Sequence, residues 1–265
     1  MWRINREAAL LGAGPAALLL QIAHPLVAEG VAAHSAFQGD IFGRLRRTLL
    51  TTLALVFGDA PTAERAVRRL NGVHATVKGS VTDAAARAAT GAVSYRALDP
   101  ALLLWVQATL VVTSVRAYEA WMGPIRAAER ESFWQEARSV GVRLGIPLAQ
   151  SPATWPALIA WFEEQLRPGG PIVVTPTARS LASAIIRPPL PLAPGWAVDV
   201  AVLPGLALVP DRIRQEFGVD WSATKAVLAR ALGLGVRAWV RVMPRAWRAM
   251  PPARAAERRV GRERG

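Results

Sequence analysis

The sequence predicts an all-α protein, and three observations support this. Helix-length segments are separated by glycine and proline, apolar residues recur with a helical period, and the apolar–polar alternation typical of strands is nearly absent. The 265 residues are 52% hydrophobic, which is enough to bury a sizeable core. We therefore expect one multi-helix domain with no sheet.

The first apolar run, residues 8–20, resembles a targeting signal because Arg3 and Arg6 precede it. Glu7 interrupts this basic flank, and a proline lies within the run, so a buried helix is the better interpretation. The apolar run 101–115 is shorter than the roughly 20 residues that span a bilayer. We expect it to be a buried helix as well.

A pair of helices joined by a tight turn is predicted next. The first covers residues 43–57 and ends at Gly58, and Pro61 opens the second, with Asp59 or Thr62 as its cap. Apolar residues at helical spacing predict that the second helix extends over 62–81. The solvent-exposed face of this second helix should carry Asn71 and several arginines.

The remaining segments also predict helices. Asp99 followed by Pro100 is the capped start of a helix that runs to about Met122. Further helices are predicted over 128–144, 155–166, 210–217 and 221–242. The proline-rich run 187–210 predicts short turns that wrap the surface, and the arginine-rich tail that ends the chain is expected to be frayed.

The net charge of +13 is carried almost entirely by arginine and favours anionic partners. Nucleic acid is not expected, because no recognition motif accompanies the charge. Between residues 237 and 264, arginines alternate with Trp239, Trp247 and Met250, a pattern suited to an anionic membrane surface. We expect a cytoplasmic protein, which is the compartment that a cysteine-free chain suits, with peripheral membrane contact.

The missing residue types exclude several chemistries. With no cysteine, thiolate metal sites, iron–sulfur clusters and cysteine nucleophiles are ruled out. There is no GxSxG, Walker or GxGxxG motif, and the carboxylate–histidine spacings of non-haem iron sites are missing. A metal held mainly by a porphyrin requires the fewest ligands from the protein, because one axial imidazole and a pocket are enough.

His74 is the best-placed imidazole for that role. It follows Leu70 by about one turn on the predicted apolar stripe, with Val73 and Val77 beside it, so it should point into the core. Lys78, four residues later on the same predicted face, would reach a propionate at the cofactor rim. The alternative is a buried histidine that donates to a backbone carbonyl.

Arg44 and Thr48 share one face of the preceding helix, which places a guanidinium and a hydroxyl one turn apart. This pair would hold an anionic group or polarise dioxygen over a metal. The alternative is a solvated basic face that continues through Arg46 and Arg47, with threonine bonded back to its own helix.

Glu29 lies between His24 and His34 in a short segment with polar residues that follows the first apolar run. These residues either line the mouth of a pocket or cap and turn the chain. We favour the turn interpretation, with Glu29 as a candidate acid or base.

Three stretches carry a resemblance to a known family. They are AALLGAGPAALLLQIAHPLVAEGVAAHS, GRLRRTLLTTLALVFGDAPTAERAVRRLNGVHATVKG and YRALDPALLLWVQATLVVTSVRAYEAWMGPI. They resemble the bacterial family that shares its catalytic domain with mpaB-type oxygenases and latex-clearing protein, the rubber oxygenase. The similarity continues through LPGLALVPDRIRQEFGVDWS to the tail and so covers nearly the whole chain.

The resemblance implies a globin-related helical core and a noncovalent haem b that activates dioxygen to cleave a polyisoprenoid double bond. The family's RxxxT pattern falls on Arg44 and Thr48, and its proximal histidine falls on His74. The basic residue one turn later is Lys78. Many relatives have a histidine in the long helix where this chain has Gln107, so the control of the ligand or pocket differs here.

The resulting hypothesis is a haem-dependent oxygenase over residues 1–245, followed by an arginine-rich tail over 246–265. His74 binds the iron, Arg44 and Thr48 stabilise negative charge on dioxygen, and a hydrophobic, isoprenoid-type alkene is the substrate. The alternative is a non-catalytic, basic protein that binds lipid or a membrane surface.

Overall fold

The computed structural model describes residues 1–34, 41–187 and 193–263, except for the side chains of residues 41–46, 246 and 263. Helices dominate, which confirms the predicted all-α class. The helices are α1 (Trp2–Asn5), α2 (Gly14–Ile22), α3 (Pro25–His34), α4 (Ile41–Phe57), α5 (Ala60–Thr76), α6 (Ala84–Thr90), α7 (Pro100–Trp121), α8 (Ala127–Leu144), α9 (Trp155–Leu166), α10 (Pro176–Ile186), α11 (Gly195–Ala201), α12 (Leu203–Leu206), α13 (Asp211–Glu216), α14 (Ala223–Val242), α15 (Arg245–Arg248) and α16 (Pro251–Glu263). Two 3₁₀ turns cover Ala8–Ala13 and Leu148–Gln150.

The prediction that the protein has no sheet was wrong. Strands β1 (Lys78–Ser80) and β2 (Ser94–Arg96) form a small antiparallel ladder, with Gly79 opposite Tyr95. A glycine is needed there, because a Cβ at Gly79 would lie 2.8 Å from the Tyr95 hydroxyl oxygen. Strands of three residues are too short to show a period of two, so the sequence could not reveal them.

The long apolar helix α7 lies in the main core. Its Trp105 stacks on Phe162 of α9, with ring centroids 5.3 Å apart and an interplanar angle of 12°. The Trp105 indole donates a hydrogen bond to the Leu20 carbonyl at 3.1 Å, which ties α7 to α2. The predicted cap at Asp99 is confirmed, since its carboxylate accepts from the Ala101 amide at 2.8 Å.

Among the described residues, α7 alone is long and apolar enough by itself to cross a membrane. Its most apolar window is 61% buried within the protein, as expected for a core helix. The segment Ala8–Ile22 and helix α3 pass the same test only as a pair, and they are bent by 106° relative to each other. This burial confirms the buried helix predicted for residues 101–115. The first run differs in part from its prediction, because Ala8–Ala13 forms a 3₁₀ turn with Leu11 49% exposed, and the buried helix covers Gly14–Ile22.

Helices α4 and α5 form the predicted helical pair. Asp59 is the cap of α5, because its carboxylate accepts from the Thr62 amide at 2.9 Å. The turn is tight, since a Cβ at Gly58 would lie 2.3 Å from the Ala54 carbonyl oxygen. Helix α5 ends at Thr76, five residues before the predicted end, because the chain becomes extended at Val77 and enters β1.

The C-terminal region is more ordered than predicted. Two short helices, α11 and α12, form within the proline-rich run, of which residues 188–192 lie outside the described part. The expectation of a frayed tail was wrong for the described residues. Ala253 and Ala256 of α16 pack with Leu53 and Phe57 of α4, because two small residues on one helix face permit close contact. The division of the chain at residue 245 stays a prediction.

Candidate functional site

The predicted site residues on α4 and α5 lie at similar distances from the turn that joins the two helices. At a rise of 1.5 Å per residue, Arg44 on α4 and His74 on α5 lie about 20 and about 21 Å from the turn that joins the helices. The two helices pack against each other, so both positions are near the open end of the pair. Thr48 lies about one turn closer to the joint.

His74 lies in the last turn of α5 and is half-buried. Its Nδ1 atom is buried and has no hydrogen-bond partner among the described residues. Burial lowers the pKa of His74 below its ordinary value, because it penalises the charged ring. The ring is therefore neutral at pH 7, which is the protonation state that a metal ligand requires.

Two details of the predicted face around His74 were wrong. Val73 is 54% exposed rather than inward-facing, although it lies two turns after the buried Ala66 on the same side of α5. The elements that cover Ala66 therefore do not cover this end of the helix. Lys78 is not on the helix that carries His74. It is exposed at the start of β1, and its carbonyl oxygen is 3.1 Å from Nε2 of His34. The contact predicted between Lys78 and a cofactor propionate stays a prediction.

Asn71, one turn before His74, was predicted to face solvent and is instead half-buried. Its amide donates to the Arg143 carbonyl of α8 at 3.4 Å, and its Oδ1 atom is buried without a partner among the described residues. Residues three apart on a helix share a face, so α5 presents Asn71 and His74 together. The i, i+3 spacing was visible in the sequence, but the contact with α8 was not.

Gln107 links α7 to α8. Its amide nitrogen donates to the Ala137 carbonyl at 2.6 Å, while its Oε1 atom is buried without a partner among the described residues. Gly141 makes room for this side chain, since a Cβ there would lie 2.6 Å from Oε1. A buried acceptor without a donor is costly, so this oxygen is available to a ligand or an ordered water.

The Arg44 side chain lies outside the described residues, although its backbone is part of α4. Thr48 is exposed, which leaves its hydroxyl accessible. One turn later, the Thr52 hydroxyl bonds back to the Thr48 carbonyl at 3.0 Å, as the alternative interpretation of this face expects for a threonine. The roles predicted for Arg44 and Thr48 stay predictions.

Glu29 is buried on α3, and its carboxylate accepts three hydrogen bonds. Oε2 accepts from the Thr82 amide at 2.9 Å and from its hydroxyl at 3.0 Å, and Oε1 accepts from the Asp83 amide at 3.1 Å. Asp83 in turn caps α6 and accepts from the amide and hydroxyl of Thr177 on α10. These bonds account for the burial of Glu29 without an acid–base role, which stays a prediction.

The other two histidines already use a ring nitrogen. His24 Nδ1 accepts from the Leu26 amide at 3.2 Å, which supports the turn interpretation of this residue. His34 is exposed, and its ring lies edge-on to Tyr95, with centroids 6.2 Å apart. Of the three imidazoles, His74 is the one with a buried, unpartnered nitrogen among the described residues.

His24 should make the protein less stable in mild acid. Burial beside Trp105 lowers the pKa of His24 to about 4 from an ordinary value of 6.5, although the Asp99 carboxylate partly opposes this. Between about pH 6.5 and about pH 4, the unfolded chain binds a proton at His24 and the folded protein does not. The contribution of neutral His24 to the free energy of unfolding is therefore fully present above about pH 6.5 and is lost as the pH falls towards 4. At about pH 5 the loss should be about 2 kcal/mol relative to about pH 7.

Urea unfolding at these two pH values, compared between the wild type and His24→Asn, measures this contribution. Asparagine keeps an acceptor for the Leu26 amide but does not titrate, so the variant should lose less stability between the two conditions. Equal losses in the two proteins would contradict this role for His24.

Two cavities with described linings lie away from His74. One, of about 390 Å³, is lined by Ala255, Arg258, Arg259 and Arg262 of α16. The other, of about 170 Å³, lies between the N-terminus, α7 and α8 and includes Tyr118 and Phe133. No group of three histidine or carboxylate side chains within the described ranges is arranged to hold a bare metal ion.

Within the described residues, the helices therefore present one half-buried imidazole, that of His74, with an unpartnered ring nitrogen. The sequence profile of the family described as ER-bound oxygenase mpaB/B'/rubber oxygenase, catalytic domain, matches residues 1–245. The chain belongs to this family, which confirms the resemblance noted in its sequence. The description of this family is that of an oxygenase catalytic domain.

Two mycobacterial relatives support a shared origin but name no activity. One is an uncharacterised protein of Mycobacterium bovis and the other of Mycobacterium tuberculosis, each 31% identical over 155 residues. The matched region covers 57% of this chain and 56% of each relative, so it spans little more than half the length of either. No solved structure matches the chain, and the globin-related core stays a prediction.

Proposed function

We propose that this protein is a haem b-dependent oxygenase that uses dioxygen to oxidise a hydrophobic substrate with isoprenoid-type double bonds. His74 is the residue that would hold the haem iron. Family membership supports the oxygenase class, and the rubber oxygenases in the family's name suggest the kind of substrate. Haem, rather than a bare metal, suits a chain without cysteine in which one imidazole is available.

The observation that carries the proposal is the buried, unpartnered Nδ1 atom of His74. Leaving a buried polar atom unpaired costs about 1–3 kcal/mol, so natural proteins retain few of them without a reason. Each of the other two histidines already uses a ring nitrogen in a protein contact. Of the two things that a haem site requires, an imidazole and a pocket, the observation supports the imidazole, while the two described cavities lie elsewhere.

Haem b supplies the redox chemistry that activates dioxygen. His74 holds the group through its ring, and α5 fixes the direction of that ring. Arg44 and Thr48, on the helix packed against α5, supply a guanidinium and a hydroxyl to stabilise negative charge as it develops. Asn71 and Gln107 add amide oxygens that have no other described partner and can orient a water or a polar part of the ligand.

Purified, bacterially expressed protein tests the cofactor directly. A pyridine haemochrome spectrum with iron analysis should show stoichiometric haem b, and the Soret band should shift in Arg44→Ala. Arg46→Ala is the matched control, because residue 46 is about 200° around α4 from residue 44 and should leave the spectrum unchanged. A folded, colourless protein that takes up no added haem would contradict the proposal.

Oxygen consumption tests the substrate class once haem is present. A polyisoprenoid alkene should increase the rate and yield carbonyl products, whereas the saturated analogue should not. The alkene contains the π-bond that reacts, and the saturated analogue lacks it. Equal rates with both compounds would contradict the alkene assignment and leave the cofactor assignment standing.

A further inference from the structure

Helix α14 has two faces, and both of them are apolar. The inner face packs on the protein through Ala229, Gly233 and Val240, and Gly233 is so close to Trp121 of α7 that a Cβ would lie 3.2 Å from its ring. The outer face carries five exposed residues at helical spacing, which are Val227, Ala231, Leu234, Ala238 and Val242. A second apolar stripe on the solvent side of a helix that already packs through its inner face is unusual for a surface helix.

The exposed stripe, defined as these five residues, is strongly apolar for a protein surface. Val227 is 67%, Leu234 62% and Val242 74% exposed. Beyond the end of α14, Trp247 on α15 is a further apolar side chain that is 78% exposed. A contiguous apolar surface of this kind marks a docking site. Met250, which the sequence placed with this surface, is instead buried against α4.

The charge around the stripe identifies the kind of partner. Arg230 and Arg241 are exposed beside it, and Arg245 follows at the start of α15. No acidic residue occurs between Asp220 and Glu257, while the same segment contains six arginines and one lysine. A second copy of this surface would bring like charges together, whereas a membrane with anionic headgroups would neutralise them.

We propose that α14 and α15 form a peripheral docking surface for anionic lipid bilayers. The exposed stripe and Trp247 enter the boundary between headgroups and acyl chains, and Arg230, Arg241 and Arg245 contact lipid phosphates. Tryptophan is favoured at that depth because its ring is apolar and its N–H can hydrogen-bond. The inference is independent of the proposed haem chemistry and of His74, because it involves a different helix.

Vesicle flotation of the full chain tests this surface. The protein should float with phosphatidylcholine vesicles containing about 30% phosphatidylglycerol and remain unbound with pure phosphatidylcholine. Binding should weaken in about 0.5 M salt, where the Debye length is about 4 Å. Arg230→Gln together with Arg241→Gln should weaken binding by about twenty-fivefold, at about fivefold for each arginine.

The apolar contribution needs its own variant and control. Leu234→Ser should weaken binding by about tenfold, because an exposed leucine can no longer enter the lipid. Val93→Ser and Arg96→Gln remove an exposed valine and an exposed arginine near the β1–β2 ladder, and both should bind like the wild type. Far-UV circular dichroism should show unchanged folding, since all these positions are exposed.

Two results would overturn the proposal. The first is binding that ignores lipid charge, or that Leu234→Ser and the double arginine variant leave unchanged. The second is a concentration-dependent dimer in light scattering that Leu234→Ser abolishes, together with no flotation, because the stripe would then be an interface between two copies of the chain.

Discussion

Replacing His74 with alanine should lower haem retention by at least about tenfold and remove the Soret band, while the fold survives. The ring is the one protein ligand proposed for the iron, and its Nδ1 atom makes no described contact whose loss would destabilise α5. His74 is half-buried in the last turn of its helix, so truncation leaves only a small gap. Absorption spectra and haem titration of the purified variant measure the effect.

His34→Ala is the matched control, because His34 is exposed and contacts a backbone carbonyl. It should keep the wild-type spectrum. Adding free imidazole to His74→Ala should restore the band in part if the ring acts only as a ligand, since imidazole can occupy the space left by the side chain. Haem retention that is unchanged in His74→Ala would remove the basis of the proposed mechanism.

Local capping chemistry made the helix starts predictable. Asp59 and Asp99 each accept a hydrogen bond from an amide two or three residues later, and each is followed within two residues by proline. These interactions involve neighbours in the chain, so sequence spacing determines them. The end of α5 was not predictable in the same way, because Val77 leaves the helix to begin a ladder with residues about 20 positions away.

At the candidate site too, the sequence predicted local spacing but not the packing of distant segments. Helix period placed His74 on a partly buried face, and the family pattern selected the same residue. The period could not show that Val73 would be exposed or that Asn71 would turn towards α8, because both depend on which helices pack against α5. The partners of Glu29 were also hidden, since Thr82 is 53 residues away in the chain.

Glu29→Ala should destabilise the protein by about 3 kcal/mol, because it leaves three hydrogen-bond donors of Thr82 and Asp83 without their acceptor. The carboxylate is buried, so water cannot easily replace it. Those donors lie at the start of α6, where Asp83 also holds Thr177 of α10, and the loss should therefore loosen the contact among three helices. Urea unfolding followed by far-UV circular dichroism measures the change.

Glu29→Gln and Glu164→Ala separate a structural role from a catalytic one. Glutamine keeps one acceptor and should cost less than alanine. Glu164 is exposed and, within the described part of the chain, pairs with nearby Arg167, so its removal should cost less than about 1 kcal/mol. If Glu29 acts through its hydrogen bonds, folded Glu29→Gln should keep its haem spectrum and its turnover with an alkene. A variant with wild-type stability and no turnover would instead make Glu29 the acid or base of the reaction, because chemistry and not folding would then have been lost.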